Sequence, residues 1–307
     1  VRIGIIGLAT AMILGVFGRS SAVLDLFSHF QIQYFLCATI GLIVLAIGRR
    51  WWWALAAAGI MIICAWRVAP MYTNGPVASD SGGTDLRVML CNVNRSNSNA
   101  DGLRRVIETQ QPDILVLQEL TPALRDDLEA LQSVYPHRII DSRRDSFGIG
   151  LYSTVPFEES SVLSLGDAGV PSIHAQIVID NRLLNVVATH PLPPLPLSGT
   201  PKRNRQLTEL GTFVDSVPEE QATMLIGDLN VTPWSPNWSR VCSNDSLHDA
   251  RCGFGTLPTW PTFLPAFMRI PIDHCLVSRE CRVADCRTGS NVGSDHLPLM
   301  IDMYFPD

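Results

Sequence analysis

Apolar and polar positions are distributed in two different ways along the 307-residue chain. Residues 3–18, 30–48 and 51–66 are apolar runs with no alternation and few polar interruptions. Such runs predict helices that are apolar on every side, which suits a bilayer better than a half-solvated surface. At ~1.5 Å per residue the middle run reaches across ~30 Å of hydrocarbon, and the third nearly does so if it continues to residue 70 with Arg67 extended to the interface. Three transmembrane helices, about 3–18, 30–48 and 51–70, are therefore expected within an anchor at 1–72. The first is read as retained rather than cleaved, because only Arg2 precedes it and no convincing small-x-small site follows.

A Gly/Ser/Pro-rich stretch at 73–85 predicts a linker. Beyond it the pattern changes to short apolar runs separated by polar turns. Runs at 86–93, 113–120, 138–141, 147–152, 172–179, 183–190, 223–227, 272–277 and 297–304 predict strands. Amphipathic spacing predicts helices at 100–110, 121–132 and 204–214, the second capped by Thr121 with Pro122 at its first position. Strands interleaved with helices, then strands in sequence, point to an α/β fold with two packed β-sheets flanked by helices, a four-layered sandwich spanning 86–307 and preceded by the transmembrane helices.

Composition sharpens this division. The chain is 47% hydrophobic and only 17% charged, a surplus of apolar residues that falls in the first 72 positions. Arg49 and Arg50 lie between the second and third apolar runs and favour the cytoplasmic side for that turn. The expected location is the cytoplasmic (inner) membrane, multi-pass, with the domain after residue 72 extracytoplasmic. Arg2 agrees with this orientation, whereas Arg19 and Arg67 pull against it. An oxidising compartment would allow Cys242 with Cys252, and Cys281 with Cys286, to close short loops. No CxxC spacing suggests structural zinc.

Polar residues recur where apolar runs end. Asn92, Glu119 and His190 each close one; Asp228-Leu-Asn230 follows Met-Leu-Ile-Gly; Asp273-His274 follows Ile272; and Asp295-His296 precedes the last strand. Taken singly, each has an ordinary explanation as an Asx turn, a capped strand end or a structural histidine. Together they are the inventory of phosphate-ester hydrolysis with a hard metal ion: carboxylates for the metal, amides for phosphoryl oxygens and an Asp–His pair for developing charge.

This order of strand ends resembles the endonuclease/exonuclease/phosphatase (DNase-like) superfamily, as a membrane-anchored bacterial-type member. The resemblance covers 86–304. It rests most on Gly227-Asp228-Leu229-Asn230 and Gly293-Ser294-Asp295-His296, with support from Leu117-Gln118-Glu119, residues 148–153 and Ile272-Asp273-His274. It implies Glu119 as the main magnesium ligand, with Asn92 beside it and Asp295 near the metal or the water. It further implies that Asp228 orients or deprotonates the attacking water, that Asn230 holds a phosphoryl oxygen, that Asp273 orients His296, and that His190 faces the phosphate or leaving group. Mg2+, or alternatively Mn2+, is the implied cofactor. One departure stands out: Asn94 occupies a position where some nucleases carry Asp, which puts a second metal in doubt. His174 and His248 have no place in the pattern and are read as structural or surface residues.

Residues 80–307 hold 18 basic and 28 acidic residues, a net charge of −10. That is a poor general match for duplex DNA, whose binding rests on many Lys and Arg contacts to phosphate. A local basic cluster, Lys202, Arg203 and Arg205, either lines the cleft as a substrate-binding group or is a solvated helix start. Trp234, Trp238, Trp260 and Phe263 are read as packing residues, with lipid or nucleobase contact as alternatives. The sequence thus predicts a membrane-tethered, Mg-dependent phosphoesterase of nuclease or phosphodiesterase type acting on phosphate mono- or diesters. Hydrolysis of a phospholipid or inositol phosphate, and a catalytically silent binding domain, are the alternatives. Partners are a phosphate-ester substrate and the lipid bilayer; no protein partner is predicted.

Overall fold

The computed structural model describes residues 1–73, 86–195, 197–242 and 246–306. All but Thr73 of the expected linker lies outside the described residues. The chain opens with α1 (Arg2–Val16), α2 (Ala22–Leu26), α3 (Gln31–Ile47), α4 (Trp51–Val68) and α5 (Pro70–Thr73). Then come β1 (Leu86–Asn92), α6 (Ala100–Gln110), β2 (Ile114–Gln118), α7 (Pro122–Asp127), β3 (His137–Asp141), β4 (Ile149–Ser153), β5 (Phe157–Ser164), β6 (Pro171–Ile179) and β7 (Arg182–Thr189). The remainder is α8 (Thr200–Asp215), β8 (Ala222–Asp228), β9 (Leu247–Asp249), β10 (Asp273–Ser278), β11 (Arg282–Thr288) and β12 (Leu299–Tyr304).

Among the described residues twelve strands form two six-stranded sheets, ordered β11-β12-β1-β2-β4-β3 and β5-β6-β7-β8-β10-β9. Strand alternation places Val88, Leu90, Ile114 and Val116 of the first sheet against Ile173, Val186, Met224 and Cys275 of the second, in one dry core. Each such fully buried aliphatic side chain contributes roughly 1.5–3 kcal/mol. The intervening residues point outward: Met89, Leu115 and Leu117 pack on Leu103 and Ile107 of α6 and on Leu124 of α7. On the other side Val187, Leu225 and Leu276 pack on Leu207, Leu210 and Val214 of α8. This is the expected two-sheet sandwich with helices on its outer faces.

The helix expected at 121–132 is split into α7 and a 3-10 turn, Glu129–Ser133. Helix α8 starts four residues earlier than expected, with Pro201 in its first turn. Neither expected cysteine loop is closed: Cys252, Cys281 and Cys286 are free thiols, the last two buried among core residues.

Helices α1, α3 and α4 pack together through Ala38, Ala57 and Cys64, all buried, while Ile3, Ile40, Trp52 and Trp66 point outward. Among the described residues one helix, α4, is long and apolar enough to cross a membrane by length and composition; α1 and α3 are shorter apolar helices of 15 and 17 residues.

A polar seam joins this bundle to the sandwich. The Asp25 carboxylate in α2 pairs with Arg203 of α8 at 2.8 Å and accepts from Ser235 Oγ at 2.5 Å. His29 Nδ1 lies 2.9 Å from Thr232 Oγ1, Arg67 donates to the Trp234 carbonyl, and Asn237 donates to the Gly18 carbonyl.

Candidate active site

The topology brings the strand-end residues to one edge of the sandwich. Strands β1 and β2 run parallel, in a register that puts Asn92 beside Gln118; β7 and β8 are also parallel, so His190 and Asp228 emerge at the same edge. Strand β10 runs antiparallel to β8 and begins where β8 ends, which sets Asp273 directly across from Asp228. The Ser294–His296 turn leads into β12, the antiparallel partner of β1, and Ser294 Oγ donates to the Asn92 carbonyl.

Two cross-sheet features lock this edge. Gln118 donates through Nε2 to the Thr189 carbonyl at 2.7 Å and accepts the Asp228 N–H at 2.9 Å, so one amide ties β2 to β7 and β8. Gly227 sits where a Cβ would lie 1.8 Å from the Thr189 carbonyl oxygen, so only glycine permits the approach. Three site residues also adopt left-handed backbone: Glu119 (φ 58°), Asn94 (φ 59°) and Asn230 (φ 52°). Asparagine tolerates this conformation; for Glu119 it costs about 1–2 kcal/mol, a strain that collects at functional positions and here turns the carboxylate into the pocket edge.

Asn92 Nδ2 lies 3.3 Å from both Glu119 Oε1 and Asp228 Oδ2, so two carboxylates converge on one amide. Glu119 Oε2 accepts the Arg95 N–H, and Asn92 Oδ1 accepts the Asn94 N–H. Asp228 Oδ2 faces His190 Nε2 at 3.5 Å and His296 Nε2 at 3.7 Å, while Oδ1 accepts the Asn230 N–H. His296 Nδ1 bonds Asp273 Oδ2 at 2.8 Å, and Thr259 Oγ1 donates to that same oxygen. Asp295 accepts from Asn94 Nδ2 at 2.6 Å and from Trp260 Nε1 at 3.1 Å.

The charge states follow from this crowding. Burial opposes a charge on His296, but Asp273 first and then Asp228 outweigh it, and the imidazole is pushed up to about 9. Burial would raise the Asp228 carboxyl, yet the two facing histidines hold it below the usual carboxylate range. The imidazolium therefore donates Nδ1–H to Asp273 and keeps Nε2–H directed at the pocket, a ready donor for a negatively charged oxygen.

A divalent cation fits the donor set. Glu119, Asp228, Asp273 and Asp295 converge, and among the described residues no lysine or arginine side chain pairs with any of them. Oxygens of Asp228 and Asp273 and a ring nitrogen of His296 lie within 4.8 Å of one another, and of these the two carboxylates have lone pairs for a cation while His296 is protonated. Glu119 and Asp295 are only partly buried, so these two carboxylates are open to an incoming ion, and the oxygen-rich donors suit a hard one.

The residues expected from sequence separate here. Asn92, Glu119, His190, Asp228, Asn230, Asp273, Asp295 and His296 come together. Lys202, Arg203 and Arg205 do not act as a group: Lys202 is exposed, Arg203 is fully buried against Asp25, and Arg205 pairs with Asp167 at 2.8 Å. Asn230 Nδ2 is engaged with the Pro191 carbonyl at 2.9 Å, so holding a phosphoryl oxygen requires that bond to be exchanged. His274, one residue beyond Asp273, faces the opposite side and bonds Arg251 and the Val231 carbonyl. Sequence reasoning missed Thr259, and it read Trp260 as packing; both lie in a loop without periodicity, where no pattern marks them.

Comparison with known proteins agrees with this geometry. The solved structure of zebrafish (D. rerio) TDP2 complexed with single strand DNA product is similar at 19% identity, covering 71% of this chain and 98% of that one, with a TM-score of 0.60. An endonuclease/exonuclease/phosphatase from Bacteroides vulgatus is similar at 19% identity, covering 72% and 99%, with a TM-score of 0.59. A functionally unknown protein from Enterococcus faecalis V583 shares the fold at 14% identity, covering 72% and 100%, with a TM-score of 0.59. No protein of curated function matches the chain. The model of the Endonuclease/Exonuclease/phosphatase family matches residues 89–296, from the first site strand to His296. With that match joined to the convergent acid–histidine edge, the chain belongs to the Endonuclease/Exonuclease/phosphatase family and is a hydrolase of phosphoester bonds.

Proposed function

We propose that this protein is a membrane-tethered, Mg2+-dependent phosphoesterase whose site lies on the far side of the membrane from Arg49 and Arg50. The observation that carries the catalytic part is the cluster of Glu119, Asp228, Asp273 and Asp295, which among the described residues no lysine or arginine side chain balances, beside an imidazole disposed to donate. Glu119 would hold the ion, with Asn92 and Asp295 alongside. Magnesium at that position would neutralise charge on the phosphoryl oxygens and make phosphorus more open to attack. Asp228 orients the water and takes up its proton, through a carboxylate kept ionised by His190 and His296. His296 donates Nε2–H to a phosphoryl oxygen, and Asp273 fixes its ring with help from Thr259. His190, packed against Phe147, faces Asp228 from the leaving-group side.

The tether rests on an inside-out bundle. Small residues meet at the helix contacts while isoleucines and tryptophans face outward, a packing suited to lipid. Arg2 and the Arg49–Arg50 turn lie at the end away from the sandwich. The two basic residues at the near end are engaged with it, Arg19 with Ser239 and Arg67 with the Trp234 carbonyl. That arrangement supports the cytoplasmic placement of the far end.

The test is hydrolysis of bis(4-nitrophenyl) phosphate by the full chain in detergent. Nitrophenol release should stop in EDTA and return with Mg2+ or Mn2+. Release that EDTA leaves unchanged would overturn the metal assignment.

A further inference from the structure

The loop between Trp260 and Ile270 carries large apolar side chains that nothing in the sandwich covers. Phe263 is 78% exposed, Phe267 58% and Met268 44%. This loop is not loose: Arg269 donates to the Leu264 and Thr262 carbonyls, and Trp260 and Ile270 pair at its base. Its outer end is fastened to the anchor, because Gln33 Nε2 donates to the carbonyls of Phe267 at 3.0 Å and Arg269 at 3.1 Å. Gln33 is the third residue of α3, so the exposed rings stand at the depth of that helix's first turn. The outward-facing Leu36, Ile40 and Ile43 then carry the apolar surface on along α3.

The inner end of the same loop is fastened to the catalytic edge. Thr262 N–H donates to the Asp295 carbonyl at 2.8 Å, Thr262 Oγ1 to the Ser294 carbonyl at 2.8 Å, and Trp260 Nε1 to the Asp295 carboxylate. The opposite wall also rests on the anchor, where His29 meets Thr232, and where Arg203, paired with Asp25 of α2, donates to the Asn230 carbonyl. Both sides of the pocket are thus held against the helix bundle.

We propose that residues 261–269 dip into the bilayer beside α3 and that the site takes a phosphodiester carried on a membrane lipid. The assignment rests on the membrane-tethered phosphoesterase reading and narrows its substrate. Apolar rings at the level of the helix ends belong in the headgroup–acyl boundary, where a lipid's phosphodiester lies. The surroundings disfavour the nucleic-acid reading: with Arg203 buried and Arg205 paired, Lys202 is all that remains exposed and unpaired of the basic cluster, and the domain carries a net charge of −10. In the reaction a water oxygen bonds to phosphorus and one ester P–O bond breaks. One water proton ends on the departing oxygen, which leaves a phosphomonoester and an alcohol.

The test uses the full chain in vesicles of phosphatidylethanolamine and phosphatidylglycerol doped with a lipid bearing a diazirine near its headgroup. Photolysis should place adducts on residues 261–269 as well as on the three helices. Magnesium-dependent hydrolysis of the vesicle lipids should fall roughly tenfold or more in Phe263→Ser/Phe267→Ser, each lost ring weakening interfacial seating, and Phe263→Trp should retain it. Hydrolysis of bis(4-nitrophenyl) phosphate should stay the same in all three proteins. Adducts confined to residues 1–72, or cleavage of single-stranded DNA with no lipid turnover by the wild type, would overturn the proposal while leaving the phosphoesterase reading intact. A wild type inert on the soluble diester would instead remove that reading and the lipid assignment with it.

Discussion

Two buried clusters in this molecule are built from the same side chains and settle into opposite states. At the sandwich edge His296 sits between Asp273 and Asp228 and is pushed up to about 9. At the seam with the helices His29 faces Asp25 at 4.0 Å, yet burial, aided by Arg203 against the pull of Asp25, pushes it down to about 4. The difference lies first in the carboxylates: His296 bonds Asp273 at 2.8 Å and also faces Asp228, whereas His29 faces a single carboxylate at 4.0 Å. Arg203 already balances Asp25, so a second positive charge there is unwelcome. Among the described residues no arginine side chain pairs with the carboxylates of the edge, so its imidazole carries the charge and its carboxylates remain in excess. A balanced cluster holds two parts of the chain together; an unbalanced one waits for a cation and a substrate.

Removing one member from each cluster should therefore weigh differently on stability and on turnover. Arg203→Met leaves Asp25 buried without its guanidinium, with Ser235 as its close donor, and should cost about 3–5 kcal/mol in thermal unfolding of the full chain. Replacing Asp25 and Arg203 together by Leu and Met should recover much of that loss, and a double variant as unstable as the single one would break the contrast. His296→Ala should lower turnover of bis(4-nitrophenyl) phosphate by about 10²–10³, and it should also lower the melting temperature, because buried Asp273 and Asp228 lose their cationic partner. Asp228→Asn should lower turnover as much and melt no lower, because it relieves crowding among like charges.

The next effect is one of pH. The unfolded chain protonates His29 near 6.5 and the folded chain only near 4. Between those values the unfolded state binds more protons, so folded stability is complete above 6.5 and falls as pH drops toward 4, by on the order of 3 kcal/mol. His29→Asn should flatten that part of the melting-temperature profile, and an unchanged slope would detach the effect from the seam. The smallest change is Thr259→Val, which removes one donor from Asp273. A hydrogen bond to a charged group of this kind is worth roughly 1.5–3 kcal/mol, so turnover should drop about tenfold or more with Mg2+ dependence kept.

What could be read in advance follows burial. Strands β1, β2, β7, β8, β10 and β12 are largely buried, and each announces itself as a mostly apolar run with a site residue at or close to one of its ends. Strand β5, with Glu158, Glu159 and a string of serines, and β11, with Arg282, Asp285 and Arg287, lie at sheet edges, the first largely exposed and the second burying only Val283 and Cys286. Their sequences carry no apolar signal because they cover little core, and neither was foreseen. The three-residue β9 is too short to show a period.

The basic cluster shows a different limit. Lys202, Arg203 and Arg205 are neighbours in sequence, but at about 100° per residue α8 sends them to different faces, and Arg203 turns inward toward a helix 178 residues away. Its partner Asp25, the single acidic residue of the first 72, is conspicuous by itself, yet nothing local to either residue reveals the pairing. Thr259 was hidden for a related reason, since its role depends on a loop folding back onto β10.

The most direct measurement is anomalous diffraction from crystals of the full chain grown with Mn2+. The account predicts one strong peak within coordination distance of the Glu119 carboxylate, between Asn92 and the Asp228–His296 pair, and its loss in Glu119→Gln. A peak at another acidic group with the Glu119 edge vacant, in crystals whose protein still hydrolyses phosphodiesters, would contradict it.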